Sequence, residues 1–220
     1  MKRTKLADRE MPGYSRGEEL THMITHIVGA ALGAVALIWC LVLADTAVEI
    51  VTSLVYSLTM ILLYTTSSIY HGLTHPMAKR AFQVLDHCTI YLFIAGTYTI
   101  FVLCSLRYEN AALAWVLFAI EWVTAAVAVT LTAIDIKKYQ YFSFVCYIVM
   151  GWSVLIAIPP TIRALGVAGS VLLLAGGIAY TIGSALYVVG KKKKYAHAVF
   201  HVFILLGTLL QFLSVVFFVL

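Results

Sequence analysis

Apolar residues dominate seven long stretches of this chain, and the polar residues between them come in short clusters. The stretches run approximately Thr21–Ala44, Val48–His71, Leu85–Leu106, Ala111–Ile134, Tyr141–Ile158, Ala164–Val189 and Ala196–Leu220. A helix needs roughly 20 apolar residues to cross about 30 Å of hydrocarbon. Each stretch qualifies; the fifth is the shortest and runs into Pro159-Pro160, a pair that stops a helix. The pattern predicts an all-α, polytopic membrane protein with seven transmembrane helices. Residues 1–20 form a polar N-terminal segment and residues 21–220 the bundle. The first apolar stretch is full length for a span, which argues against a cleaved signal peptide.

Charge gives an orientation. The N-terminal segment carries Lys2, Arg3, Lys5, Arg9 and Arg16. Lys79 and Arg80, Lys137 and Lys138, and Lys191 to Lys194 fall on the same side of the expected bundle. Arg107 and Arg163 fall on the other, so 13 of the 15 basic residues share one face. Cytoplasmic loops carry such an excess. The expectation is a cytoplasmic N-terminus and an outward C-terminus in the plasma (inner) membrane.

Composition narrows the class. Of 220 residues, 62% are hydrophobic and 11% charged, against about 45–50% and about 25% in soluble domains. The net charge of +5 sits at membrane flanks and does not indicate nucleic-acid binding. Cys40, Cys88, Cys104 and Cys146 are isolated, without CxxC or zinc-finger spacing, and read as small apolar packers. Gly29 and Gly33 make a small-xxx-small pair suited to close helix packing.

The expected topology gathers polar residues at one depth. His71 closes the second span, Asp86 opens the third, and His197 and His201 open the seventh. Their cytoplasmic ends coincide. His197 and His201 are four apart, so they share a helix face with Cβ atoms roughly 5–6 Å apart. Three imidazoles and an open position form the pattern of a catalytic zinc site. Asp86 would be a fourth ligand, or would hold or deprotonate a water there, and Ser67, four before His71, would orient a ligand or water. Taken singly, each residue has a structural explanation: an interfacial anchor for His71 or His197, an N-cap for Asp86. Together they favour a metal, and imidazole with carboxylate suits zinc without excluding iron, nickel or copper. His75, followed by Pro76, reads as a loop residue. His22 and His26, at the start of the first span, read as structural. Glu121, mid-span, should face the bundle interior, protonated or hydrogen-bonded, because an exposed charge there costs about 2.5–3.5 kcal/mol.

Ser67-Ser68-Ile69-Tyr70-His71, Leu85-Asp86-His87, Ala95-Gly96-Thr97-Tyr98-Thr99 and His197-Ala198-Val199-Phe200-His201, together with Glu18-Glu19-Leu20 and His26, resemble the hemolysin III family. That family is the bacterial branch of the progestin and adipoQ receptor superfamily. The resemblance runs over nearly the whole chain, in order. It implies a seven-helix bundle with a cytoplasmic N-terminus and a zinc ion near the inner leaflet. By the same resemblance His71, His197 and His201 bind the zinc, Asp86 contacts a zinc-bound water, and Ser67 is a polar neighbour. The superfamily is also similar to alkaline ceramidases. Two departures stand out: Gln211 where relatives often have His, and Ile100 where a proline commonly follows Ala-Gly-Thr-Tyr-Thr, which removes the proline that would kink the third span.

Two lines converge on a zinc-dependent hydrolase of a lipid amide or ester, with membrane lipid as substrate or ligand. A cytolytic pore is one alternative, though seven apolar spans read as residence in the producer's own membrane. A receptor or membrane-homeostasis protein with structural zinc is another. Transport finds no matching pair of broken helices.

Overall fold

The computed structural model describes residues 4–190 and 193–220. Lys2, Arg3, Lys191 and Lys192, which contribute to the orientation argument, lie outside the described residues. Among those described there is no strand, and six helical stretches are long and apolar enough to cross a membrane.

Helix α1 spans Arg16–Leu43 and α2 spans Ala47–Gly72. Each starts in a capping box: Ser15 with Glu18, and Thr46 with Glu49. Reciprocal bonds of this kind satisfy two otherwise orphaned amides. The first of them places the helix start at Arg16 rather than Thr21, inside the polar segment.

Helix α3, Pro76–Phe101, begins nine residues before the apolar stretch does. Pro76 occupies the first turn, where its missing N–H is not needed, and His75 caps it by accepting from the Ala78 amide. Asp86 therefore sits in the third turn and is not a cap. Ile100 stands fully buried in place of the expected proline, yet the helix loosens directly afterwards into a π-helical turn at Val102–Leu106 before its last turn at Arg107–Glu109. The stretch Pro76–Glu109 is the most enclosed, with 78% of its apolar window buried, which makes α3 the central helix.

Helices α4, Ala111–Ile134, and α5, Ile136–Trp152, start at Asn110 and Asp135, whose side chains accept from Leu113 and Lys138 amides. The fifth and sixth expected spans do not separate at Pro159-Pro160. Helix α5 gives way earlier, to a 3-10 segment at Ser153–Ala157, and both prolines fall in the first turn of α6, Ile158–Gly190. A first turn tolerates proline because its N–H groups are unpaired anyway. The real interruption inside α6 is Gly166 (φ 66°, ψ 176°), a conformation that glycine adopts without a Cβ clash. The whole run Ile136–Val188 thus forms one long apolar helical stretch with internal breaks. Helix α7, Ala196–Phe218, completes the chain.

Helix α1 packs on both α2 and α7, α2 on α3, α3 on α4, and α6 on α7. The glycine pair does what its spacing predicts: a Cβ on Gly29 would collide with the Tyr64 ring, and one on Gly33 would meet Ile61 at 2.8 Å. Gly176 and Gly207 let α6 and α7 approach equally closely; a Cβ on either would stand 2.9 Å from the other's carbonyl oxygen. Outward positions such as Ile38, Val42, Val123 and Val149 are exposed and apolar, the surface that lipid tails cover. All four cysteines are free and buried.

The N-terminal segment is folded onto the bundle. Thr4 donates its amide to Asp135 (2.9 Å), Arg9 donates to the Ala133 and Ile134 carbonyls (3.3 and 2.8 Å), and Arg80 donates to the Arg9 carbonyl (3.0 Å). Lys137 and Glu10 pair at 2.9 Å. Burial pushes the Asp135 carboxyl up, but the Thr4 and Lys138 amides and the Arg9 charge outweigh it and hold it at about 2.

Candidate metal centre

Because α1 lies against both α2 and α7, three helices bring their histidines to one place. Helix α1 supplies His22 and His26, α2 supplies His71 in its last turn, and α7 supplies His197 and His201 in its first two turns. Ring centroids stand 4.7 Å apart for His22–His71, 4.6 Å for His22–His197, 5.0 Å for His22–His201, 5.4 Å for His71–His197 and 4.5 Å for His197–His201. His26 stacks on His201 at 3.7 Å and meets the Tyr64 ring edge-on. Tyr14, just before α1, stacks over His197 at 5.1 Å and abuts His22. Burial pushes the Tyr14 phenol well above its ordinary value, so it stays protonated.

Two features fit a metal ion. The first is the spacing. One ligand atom each from His22, His71 and His197 lie within 4.8 Å of one another. The Nε2 atoms of His197 and His201 stand 3.0 Å apart. Two nitrogens about 2.0–2.1 Å from one tetrahedral zinc ion lie roughly 3.3 Å apart. The second is unmet hydrogen bonding. Both ring nitrogens of His22, both of His26, Nε2 of His71 and Nδ1 of His197 are buried without a hydrogen-bond partner. Each orphan of this kind costs about 1–3 kcal/mol, and a metal would satisfy those that face it.

One imidazole is already oriented from behind. Glu19 Oε2 accepts from His71 Nδ1 at 2.7 Å, and its other oxygen pairs with Lys79 at 2.9 Å. Lys79 in turn donates to the carbonyls of Tyr70, His71 and Leu73, closing the end of α2. With Nδ1 committed to a carboxylate, His71 presents Nε2 to the other rings. A carboxylate behind a ligating histidine fixes its tautomer and raises its basicity.

Ser67 and Asp86 share a cavity with part of the cluster. Both line a space of about 900 Å³ whose wall also carries His26, His197 and His201. Ser67 is buried, and the Asp86 side chain is 16% exposed with His87 Nδ1 at 3.7 Å from its carboxylate. Thr4 and residues 8–12 of the N-terminal segment line the same cavity. Gln211 lies on its wall, against Gly176 of α6. Glu121 is elsewhere and fully buried, accepting from Ser153 at 2.8 Å as an interior hydrogen-bonded carboxyl should.

The rings of His71, His197 and His201 come together, but the ligand atoms that share one 4.8 Å group are those of His22, His71 and His197, without His201; Glu19 stands behind His71. Sequence reasoning gave neither His22 nor Glu19 a chemical role. The available signal was spacing: Glu19 and His22 are three apart, so they share a face of α1, as do His22 and His26, four apart.

Known proteins match this chain in sequence over most of its length. A family model described as "Haemolysin-III related" matches residues 14–212. Hemolysin-3 of Bacillus cereus is 40% identical over 206 residues, 92% of each chain. The Hemolysin-3 homolog of Bacillus subtilis (strain 168) is 35% identical, covering 91% of this chain and 94% of the relative. The human monocyte to macrophage differentiation factor is a more distant relative, 25% identical over 74% of this chain and 68% of its own.

Proposed function

This chain belongs to the haemolysin-III related family of integral membrane proteins, and from that premise we propose that it is a zinc-dependent hydrolase of a lipid amide or ester. One observation carries the proposal: buried imidazoles with unpartnered nitrogens converge beside a cavity of about 900 Å³ that also holds Ser67 and Asp86. His71, His197 and His201 hold the metal, with Glu19 setting the tautomer of His71. A zinc ion there would act as a Lewis acid on a carbonyl and lower the pKa of water to about 7. Asp86 takes the proton from the attacking water and returns it to the leaving amine or alcohol. Ser67, four residues before His71 on α2, hydrogen-bonds and orients the reacting groups. The apolar cavity wall takes the acyl chain, which enters sideways from the membrane.

The orientation belongs to the same proposal. The polypeptide crosses seven times, with its N-terminus in the cytoplasm of the producing cell's plasma membrane. A straight helix over the 53 residues of Ile136–Val188 would be about 80 Å long, well over twice the hydrocarbon thickness. Its breaks at Ser153–Ala157 and Gly166 support two crossings there. The asymmetry of basic residues supports the direction.

The test is Asp86→Asn in lipid nanodiscs supplied with ceramides and phospholipids. The variant should retain zinc and lose turnover by about 100-fold or more. Normal hydrolysis by the variant would remove Asp86 from the chemistry. The names of the two Bacillus relatives favour a second reading, membrane lysis. Lysis that survives both zinc removal and Asp86→Asn would support a pore instead.

A further inference from the structure

We propose that His22 is a fourth imidazole ligand at this centre, so that in the resting protein the metal is coordinatively closed and an open position exists only when His22 yields. The inference rests on the metal reading above and adds to it the regulation of that site.

Position is the first argument. His22 lies in the middle of the cluster, its ring 4.6–5.0 Å from those of His71, His197 and His201. Its ligand atom, with those of His71 and His197, falls within the 4.8 Å grouping. His201 lies outside that grouping and joins it through His197, its Nε2 standing 3.0 Å from that of His197, so His22 is placed for a shared ion with His71 and His197 at least as well as His201 is.

Hydrogen bonding is the second. His22 is 0% exposed and neither ring nitrogen has a partner. A histidine buried for packing alone normally places at least one N–H on an acceptor. His71, by contrast, has its Nδ1 on Glu19 and only Nε2 free. His26 also has two unpartnered nitrogens but stacks on His201 at one side, whereas the free nitrogens of His22 stand among the rings of His71, His197 and His201.

Helix α1 is also fixed at its start. Glu18 belongs to the capping box that starts α1, and its Oε1 also accepts from the Tyr195 amide at 2.9 Å. That bond ties the start of α1 to the start of α7. It sets the height of His22, four residues after Glu18, against His197, two residues after Tyr195. Tyr14 packs against both rings. A ligand held this way is placed by α1 and the residues before it, so movement of that segment changes the coordination.

Zinc sites with four protein ligands are closed, and those with three leave a position for water or an anion. Four nitrogens from His22, His71, His197 and His201 would fill a tetrahedron. The ligand class is an imidazole-bound divalent cation, for which cobalt(II) is a spectroscopic probe.

The experiment loads purified full-length protein with cobalt(II) in nanodiscs and titrates azide while following the visible spectrum. Wild type should give a tetrahedral spectrum that azide does not move. His22→Ala and His22→Gln should bind cobalt more than about 100-fold more weakly, with spectra that azide shifts. X-ray absorption of zinc-loaded wild type, which needs no variant to fold, should count four imidazoles. Three imidazoles, or an azide response in wild type equal to that of the variants, would overturn the role of His22 and leave the metal centre standing. Failure of wild type to bind cobalt or zinc at all would overturn the metal centre itself, and this inference with it.

Discussion

Substitution of Glu19 by Gln isolates the charge behind His71 with little change of shape. Glutamine keeps a carbonyl oxygen that can accept from His71 Nδ1, so the hydrogen bond at 2.7 Å can re-form in neutral form. What disappears is the carboxylate charge that stands behind His71 and pairs with Lys79. Loss of such a supporting group costs 10–100-fold in metal affinity, or about 1.4–2.7 kcal/mol. The structural cost should be smaller. The Lys79–Glu19 pair is mostly buried, at 15% and 17% exposure, and the large cost of breaking such a pair comes from a charge left without any partner. Lys79 keeps its three backbone carbonyls on α2. Competition of zinc against a chelator should thus show a 10–100-fold weaker site in Glu19→Gln, while the melting temperature of the metal-free protein moves little. Wild-type affinity in Glu19→Gln, with His71→Ala abolishing binding, would refute the role given to Glu19. A large loss of metal-free stability would show that Glu19 is mainly a brace between α1 and α2.

The N-terminal segment should depend on Asp135. Its folded value of about 2 lies below the unfolded value of about 3.9, so its contribution is complete above about pH 4 and fades as pH falls toward 2. Asp135→Asn should release the segment at neutral pH, read as faster proteolysis before Arg16 in nanodiscs; unchanged cleavage would mean Arg9 and Arg80 suffice to hold it. Gly29→Ala should destabilise by about 1–3 kcal/mol, because its Cβ meets the Tyr64 ring, which is fixed by a 2.6 Å bond to Thr208. Thermal unfolding in detergent measures this, and an unchanged midpoint would show that α1 and α2 can separate at no cost.

Most of the fold was legible because hydrocarbon leaves the backbone few choices. Apolar length alone located α1, α2, α4 and α7 to within a few residues at most ends. The errors came where local chemistry overrides hydropathy. Pro76 and His75 start α3 well before the apolar stretch, which moves Asp86 from a cap to a cavity wall. Ser153–Ala157 ends α5 before the proline pair is reached. Ligand candidates on α2 and α7 were legible because the topology expected from the sequence puts His71, His197 and His201 at one depth. His22 and Glu19 were not, since a histidine or glutamate at a membrane surface needs no further explanation. Only the packing of α1 between α2 and α7 reveals what they face.

The central claim is that the imidazole cluster holds a metal. The direct measurement is metal content of freshly purified protein by mass spectrometry, wild type against His71→Ala/His197→Ala, with folding checked for both. The account predicts about one zinc ion per chain in wild type and a near-complete loss in the double variant. Folded wild type without metal, unable to take up zinc when it is supplied, would contradict it.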